Sequence, residues 1–388
     1  MELIRTEISD VSADVKRITG FVRYNDGNID EYWYEYPSHF EISDTGNPWL
    51  AALLPMAATI NEDLIISLPL DQRLIDGAEN ILRFWNAYDV GTSIISIIPS
   101  GGVCVLDNSP KDSAAFFSSG VDAFYTAYNK PRAKYQILIH GFDLSIDKRA
   151  EFERHLTRIS KISKQMGKEL VSVRTNIRQT QWKKTRWQVV SHGAALASIG
   201  LLFEKYFREI FIPSSLKNFR DTYCWGSHPV TDPLFSTSKS NIITDGDGLS
   251  RYEKVQFISN HQLALDNLHV CIRGRDGSGQ DEINCSHCEK CYRTMIALDL
   301  IGVLEKAKLF DLSKYNYDEI SMIFPSNEST TGNYEKFIKI AEEKNRPEIA
   351  NNIRKCIKRS KLINLLSPLD KVPLLWRIPY KMMNNSID

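Results

Sequence analysis

Ala114-Ala115-Phe116-Phe117-Ser118-Ser119-Gly120-Val121-Asp122-Ala123-Phe124-Tyr125-Thr126-Ala127-Tyr128 is the stretch whose reading decides the fold. Residues 114–117 form an apolar run with the length of a buried strand, residues 118–122 a turn with glycine and aspartate, and residues 121–128 a helix-like run. A strand, a tight glycine turn and a helix start make an anion site: glycine lets backbone N–H groups approach a phosphate, and the positive end of the helix favours it. The turn matches neither the dinucleotide fingerprint nor the P-loop ending in Gly-Lys-Ser/Thr. Steric and capping needs place Gly and Asp in many such turns as well.

Outward from this stretch the pattern repeats. Apolar strands over residues 114–117, 135–139, 170–173, 209–212 and 241–243 alternate with helices over 121–128, 147–166, 192–206 and 250–260. Such alternation predicts an α/β domain with a parallel sheet, here residues 111–262. Ligands of such sheets lie beyond the carboxyl ends of the strands. There lies His140-Gly141-Phe142-Asp143, which either shapes a base pocket or is a βα turn with an N-cap aspartate. Residues 1–110 read as a separate α+β domain, with a hairpin of 18–23 and 29–36 around Asn25-Asp26-Gly27-Asn28, a helix over 72–88 and a strand over 93–98. Residues 301–388 read as a helical region, with amphipathic helices over 334–343 and 348–362 and with Leu374-Leu375-Trp376 packing back. The basic run Arg354, Lys355, Lys358, Arg359 and Lys361 is a solvated face or a dock for an acidic partner.

Between these parts, residues 263–300 carry Cys271, Cys285, Cys288 and Cys291. Three thiols at steps of three and a fourth folding back across the 273–279 loop predict a closed tetrahedral zinc site, a staple with no open position for catalysis. His269 or His287 replacing one thiolate, an iron-sulfur cluster, and unpaired buried thiols or disulfides are the alternatives. Cys104, Cys224 and Cys356 lie far apart and read as separate thiols.

Composition sets limits. Lys plus Arg number 48 and Asp plus Glu 48, so the charge footprint of a dedicated nucleic-acid binder is missing. Trp182-Lys183-Lys184-Thr185-Arg186-Trp187 interleaves basic and aromatic groups as single-strand binders do, and reads otherwise as a loop closing over a nucleotide. The acidic start with Glu2 and Glu7, and the lack of an apolar run near 18 residues, predict a cytoplasmic protein with no membrane partner. His192 at a helix start and His228 in a turn-rich loop are further pocket candidates.

Phe117-Ser118-Ser119-Gly120-Val121-Asp122 resembles the Ser-Gly-Gly-x-Asp-Ser loop of the PP-loop ATP pyrophosphatases. The cysteine cluster, and Pro233-Leu234 followed by Lys239 and a strand, resemble the 7-cyano-7-deazaguanine synthase (QueC-like) branch. The resemblance covers residues 112–300. It implies an ATP-dependent carbon–nitrogen ligase: a carboxylate such as 7-carboxy-7-deazaguanine attacks the α-phosphate, pyrophosphate leaves, and ammonia or a protein amine displaces AMP. It gives Ser118, Ser119, Gly120 and Val121 contact with the phosphates. Asp122 would order the loop or approach Mg²⁺, His140 and Gly141 would shape the adenine pocket, and Lys239 and Arg251, with Lys254, would neutralise phosphate charge. Lys239, Asp122 and Ser118 are thus the expected catalytic residues.

The chain departs from the family loop at Ser119, where glycine stands, tolerable with a negative φ, and at Ala123, where serine stands. The missing hydroxyl weakens phosphate binding by about 0.5–1.5 kcal/mol. The family's arginine-asparagine pair ahead of the fourth helix is replaced by Ser191-His192-Gly193, which points to a different acyl substrate. The resemblance leaves three other readings: a relative in bacterial anti-phage defence that joins the acyl group to a protein amine, with the N- or C-terminal region holding the partner, a tRNA-modifying PP-loop enzyme, and a non-catalytic nucleotide sensor.

Overall fold

The computed structural model describes residues 1–104, 110–215, 224–271, 283–325 and 328–366. Residues 273–279 and 374–376, given a loop and a packing segment above, lie outside that set. Contacts gather the chain into two compact units, one of Met1–Ser118 and Thr126–Asp247, the other of Ser119–Tyr125 and Gly248–Asp388.

The first unit is built on one mixed, mostly parallel sheet. Its elements in chain order are β1 (Glu2–Ser12), β2 (Val15–Arg23), β3 (Ile29–Pro37), α1 (Asn47–Ile60), β4 (Leu64–Ile66), β5 (Leu70–Asp71), α2 (Gln72–Ala87), β6 (Ile97–Ile98), β7 (Val103–Cys104), β8 (Asp112–Phe116), α3 (Val121–Asn129), β9 (Tyr135–His140), α4 (Arg149–Gln165), β10 (Glu169–Thr175), α5 (His192–Leu202), β11 (Phe207–Pro213) and β12 (Asn241–Asp245). Only the first turns of α3 belong to the second unit.

The sheet order is β12-β11-β8-β9-β10-β3-β2-β1-β4-β6. From β8 the chain steps outward through β9 and β10, then returns to the other side of β8 for β11 and β12, all five strands parallel. The order reverses between β8 and β11. In an open α/β sheet that reversal parts the loops and leaves a crevice at the carboxyl ends. The chain enters the Ser118–Asp122 turn from β8.

The strands over residues 18–36 do not stand apart. β3 pairs antiparallel with β10 through Arg174↔Glu35 and Thr175↔Tyr34, so the N-terminal hairpin extends the parallel sheet. The pairing covers what would otherwise be an exposed edge. Glu35, 3% exposed, takes Arg17 at 2.5 Å and Arg174 at 2.9 Å, which neutralises a carboxylate within the junction. β1 and α1 were not read from the sequence. β1 is polar along most of its length, with both faces in water. α1 is buried almost all round and carries Pro48 and Pro55, so it shows neither an amphipathic stripe nor an uninterrupted helix pattern. The strand expected over 93–98 is reduced to Ile97–Ile98.

The second unit is helical: α6 (Arg251–Ile258), α7 (Gln262–Asn267), α8 (Glu289–Ile301), α9 (Glu328–Glu343) and α10 (Pro347–Leu366). Ser250 and Glu253 close a reciprocal capping box at the start of α6. Arg346, between α9 and α10, holds both oxygens of Asp299 on α8 at 3.2 Å and so fastens the helical pair to α8. No helix among the described residues is long and apolar enough to cross a membrane.

Candidate functional site

In the second unit the turn enters α3 with Ser119 wholly buried at φ +59°. The expected negative φ is not met. The left-handed conformation that glycine takes freely is imposed here on serine, at a cost of about 1–2 kcal/mol. The Ser119 carbonyl accepts the His269 N–H at 2.9 Å, and the Phe124 N–H closes the first helical bond on the Gly120 carbonyl at 2.9 Å. The N–H groups of Val121, Asp122 and Ala123 precede the first intrahelical donor, and helix geometry gives them no partner within α3.

Asp122, in the first turn, is clamped. Its Oδ1 accepts from Lys254 Nζ at 3.0 Å and its Oδ2 lies 3.3 Å from Arg251 NH1. Lys254 is 1% exposed and Arg251 16%. Burial pushes the Asp122 carboxyl up, but Arg251 and Lys254 outweigh it and hold it below the usual carboxylate range. Of its two expected roles, ordering the loop is the one this geometry provides for, since both oxygens already face cations.

Arg293 on α8 acts on the same group and lies 3.5 Å from Glu289, whose other partner is the Tyr334 hydroxyl at 3.0 Å. Among the described residues, Arg251, Lys254 and Arg293 thus gather with Asp122 and Glu289 beside the start of α3. Arg293 and Glu289 were not singled out in the sequence, although Glu289-x3-Arg293 is an i,i+4 pair that helix spacing could have flagged.

The first unit holds the other candidates, and it separates them. Ser118 follows Phe117, whose N–H continues the ladder to Ile137. Lys239 precedes β12, level with Asn241, Glu209 and Ser113 at the amino ends of the strands. Five residues separate Ser113 from Ser118, about 16 Å along the strands. A lysine side chain spans less than half of that. The sheet thus places Lys239 at the edge opposite Ser118 and does not bring the two together.

His140 ends β9, fully buried and stacked on Phe152 at 4.2 Å. Its Nε2 lies 2.9 Å from the Ser145 carbonyl, and its Nδ1 accepts from Arg174 Nε at 3.3 Å. Both ring nitrogens are used within the fold, and burial holds the ring neutral, its pKa down to about 4. Gly141, at φ +107°, is required because a β-carbon would strike the Thr175 carbonyl of β10. The pair expected to shape the adenine pocket is explained by strand packing. His228 is buried too, its Nδ1 accepting the Val230 N–H at 3.1 Å. Trp182 is 1% exposed and donates from its indole to the Ala52 carbonyl at 2.7 Å, so the aromatic and basic run at 182–187 does not present that ring to a strand of nucleic acid.

Cys271, Cys285, Cys288 and Cys291 in the second unit converge, their Sγ atoms all within 4.8 Å of one another. The pairs 271–288, 285–291 and 288–291 stand 3.8, 3.9 and 3.5 Å apart. Four thiolates at about 2.3 Å around one zinc ion have edges of about 3.8 Å, whereas a disulfide needs about 2.05 Å. The spacing fits a four-thiolate metal and excludes a crosslink. The Cys288 N–H points at Cys285 Sγ at 3.3 Å, a bond that favours the thiolate. His287 is half exposed and turned towards Glu319, 3.6 Å away, and neither it nor His269 belongs to the set, so a histidine ligand is replaced by four sulfurs.

No family model, no curated protein and no solved structure matches this chain.

Proposed function

We propose that this protein binds ATP at the turn leaving β8 and uses it to adenylate a small carboxylate, releasing pyrophosphate and joining the acyl group to an amine. The observation that carries this reading is that the chain passes into the Ser118–Asp122 turn from β8, one of the two strands between which the sheet order reverses. The first-turn N–H groups of α3 and the guanidinium and ammonium groups of Arg251, Lys254 and Arg293 suit a leaving pyrophosphate, whose charge grows as the bond to the α-phosphorus breaks. In this reading the three basic residues of the second unit take the part first given to Lys239. The four-cysteine set holds zinc as a staple of the helical unit. Its donors fit that ion, and no reaction step passes through it.

The acyl substrate suggested by the motif resemblance is 7-carboxy-7-deazaguanine or a similar purine-like acid, with ammonia or a protein amine as acceptor. A second reading, a nucleotide sensor without turnover, draws support from the strained Ser119 and from the distance between Lys239 and Ser118. Incubation with ATP, Mg²⁺, 7-carboxy-7-deazaguanine and ammonia tests both: AMP and pyrophosphate in equal amounts support the ligase. ATP binding without either product, across a panel of carboxylates, supports the sensor. Absence of ATP binding removes both.

A further inference from the structure

Three of the four clustered thiols are placed by residues next to them in the chain, and one is not. Cys288 is the cap residue of α8 and Cys291 lies in its first turn, so the helix sets the distance between them. Cys285 precedes them across Ser286, which takes a φ of +57°, and the Cys288 N–H reaches the Cys285 sulfur at 3.3 Å. Cys271, wholly buried, belongs to a separate segment, residues 268–271, and none of those local devices includes it.

Asn284, the residue before Cys285, supplies the missing tie. It is 3% exposed, and its amide spends two donor and two acceptor positions. Its Oδ1 accepts the N–H groups of Val270 at 3.0 Å and Cys271 at 3.3 Å, while its Nδ2 donates to the carbonyls of Leu268 at 2.8 Å and Leu309 at 3.1 Å. Two N–H and two C=O partners allow one orientation of the amide, since the flipped group would set donor against donor. One side chain thus grips the Cys271 segment at Leu268, Val270 and Cys271 and joins it to the start of the Cys285–Cys291 run. The run is tied to a further segment through Leu309 and through Ser286 Oγ, which accepts the Asp311 N–H at 2.8 Å. A second bond holds the Cys271 segment independently, from the His269 N–H to the Ser119 carbonyl at 2.9 Å. Loss of the Asn284 amide therefore frees the Cys271 end of the segment without releasing all of it.

We infer that Asn284 is the positioning residue of the metal centre: it sets the Cys271 sulfur at the fourth corner of the tetrahedron and so raises the affinity of the four thiols for zinc. Groups that orient metal ligands without touching the metal account for about 10–100-fold in affinity. The inference rests on the metal reading of the four cysteines and not on the adenylation reading.

The test measures zinc affinity of the whole protein by competition with a chromophoric chelator, and reads the thiolate-to-metal absorption of the cobalt-loaded protein. Asn284→Ala should weaken zinc at least about 10-fold and lower the cobalt band, as one thiolate leaves the shell. Arg346→Met cuts the tie between α8 and the helical pair and controls for general loosening of the same unit. It should lower the melting temperature and leave zinc affinity unchanged. Asn284→Ser, whose hydroxyl stops one atom short of the Oδ1 position, serves as the second variant if the alanine protein does not fold, and it too should weaken zinc at least about 10-fold. Unchanged zinc affinity in the Asn284 variant, or an equal loss in Arg346→Met, overturns the assignment and leaves the metal reading in place. An unaltered protein that takes up neither zinc nor cobalt overturns both.

Discussion

Replacing Asp122 by asparagine isolates the clamp that holds the turn. The substitution keeps the shape and one carbonyl acceptor but removes the charge facing Lys254 at 3.0 Å and Arg251 at 3.3 Å. Removing one partner of a fully buried pair costs about 3–5 kcal/mol, because the remaining charge is left without compensation. Lys254, 1% exposed, meets that condition, while Asp122 is 21% exposed and Arg251 reaches water, so the penalty is discounted. The carbonyl of asparagine still accepts from Lys254, which recovers about 1 kcal/mol. A net loss of about 2 kcal/mol follows, or about 4–8 °C in the melting of the helical unit, read by scanning calorimetry.

In a double-mutant cycle, Lys254→Met should cost about 1–2 kcal/mol less in the Asp122→Asn background than alone. The sign with pH is fixed as well. The folded carboxyl lies below its unfolded value near 3.9, so the contribution is complete above about pH 5 and is lost as pH falls through the folded pKa. The gap between the two proteins should therefore stay constant from pH 8 to about 5 and narrow below. Equal melting within 1 °C at pH 7, or equal cost of Lys254→Met in both backgrounds, refutes the clamp.

Other outcomes check other parts of the reading. Metal analysis should find one zinc per chain and no visible absorption band. Cys288→Ser should lower the zinc content and the melting of the helical unit together, and a broad band near 400 nm would identify an iron-sulfur cluster instead. Lys239→Ala should leave ATP affinity and AMP formation within about 2-fold of the unaltered protein, and a 10-fold loss would overturn its placement at the far edge of the sheet. His140 should titrate near 4 by NMR of its ring protons. Because its folded pKa lies below the unfolded value, stability is complete above about pH 6.5 and falls, by roughly 2–3 kcal/mol in all, as pH drops to about 4. A ring titrating near 6.5 would show that its burial is wrong.

Much of the sheet was legible because its strands are short apolar runs bounded by glycine, aspartate and helix starts. The expected strand over 209–212 lies inside β11, and the one over 135–139 falls one residue short of β9. The four cysteines were legible because metal ligation needs particular atoms at short spacing. The roles of His140 and Lys239 were not. A histidine at a strand end looks the same in sequence whether its nitrogens are open or taken, and Arg174 and Phe152, which settle the matter here, come from other elements. Lys239 was assigned by the motif resemblance, although in a parallel sheet a residue ahead of a strand stands at the amino edge, away from the end where ligands lie.

The sequence by itself determined the alternation of strands and helices, the turn after the first parallel strand and the four thiols, since each is written in residues close together along the chain. Only the tertiary structure decided where the strand order reverses, that Asp122 meets Arg251 and Lys254 from a helix more than a hundred residues away, that the N-terminal hairpin joins the sheet through β10, and that Ser119 bears the left-handed turn. The reason is physical: local chemistry sets what each segment can become, while the burial of charges and the covering of sheet edges depend on partners that only folding brings together.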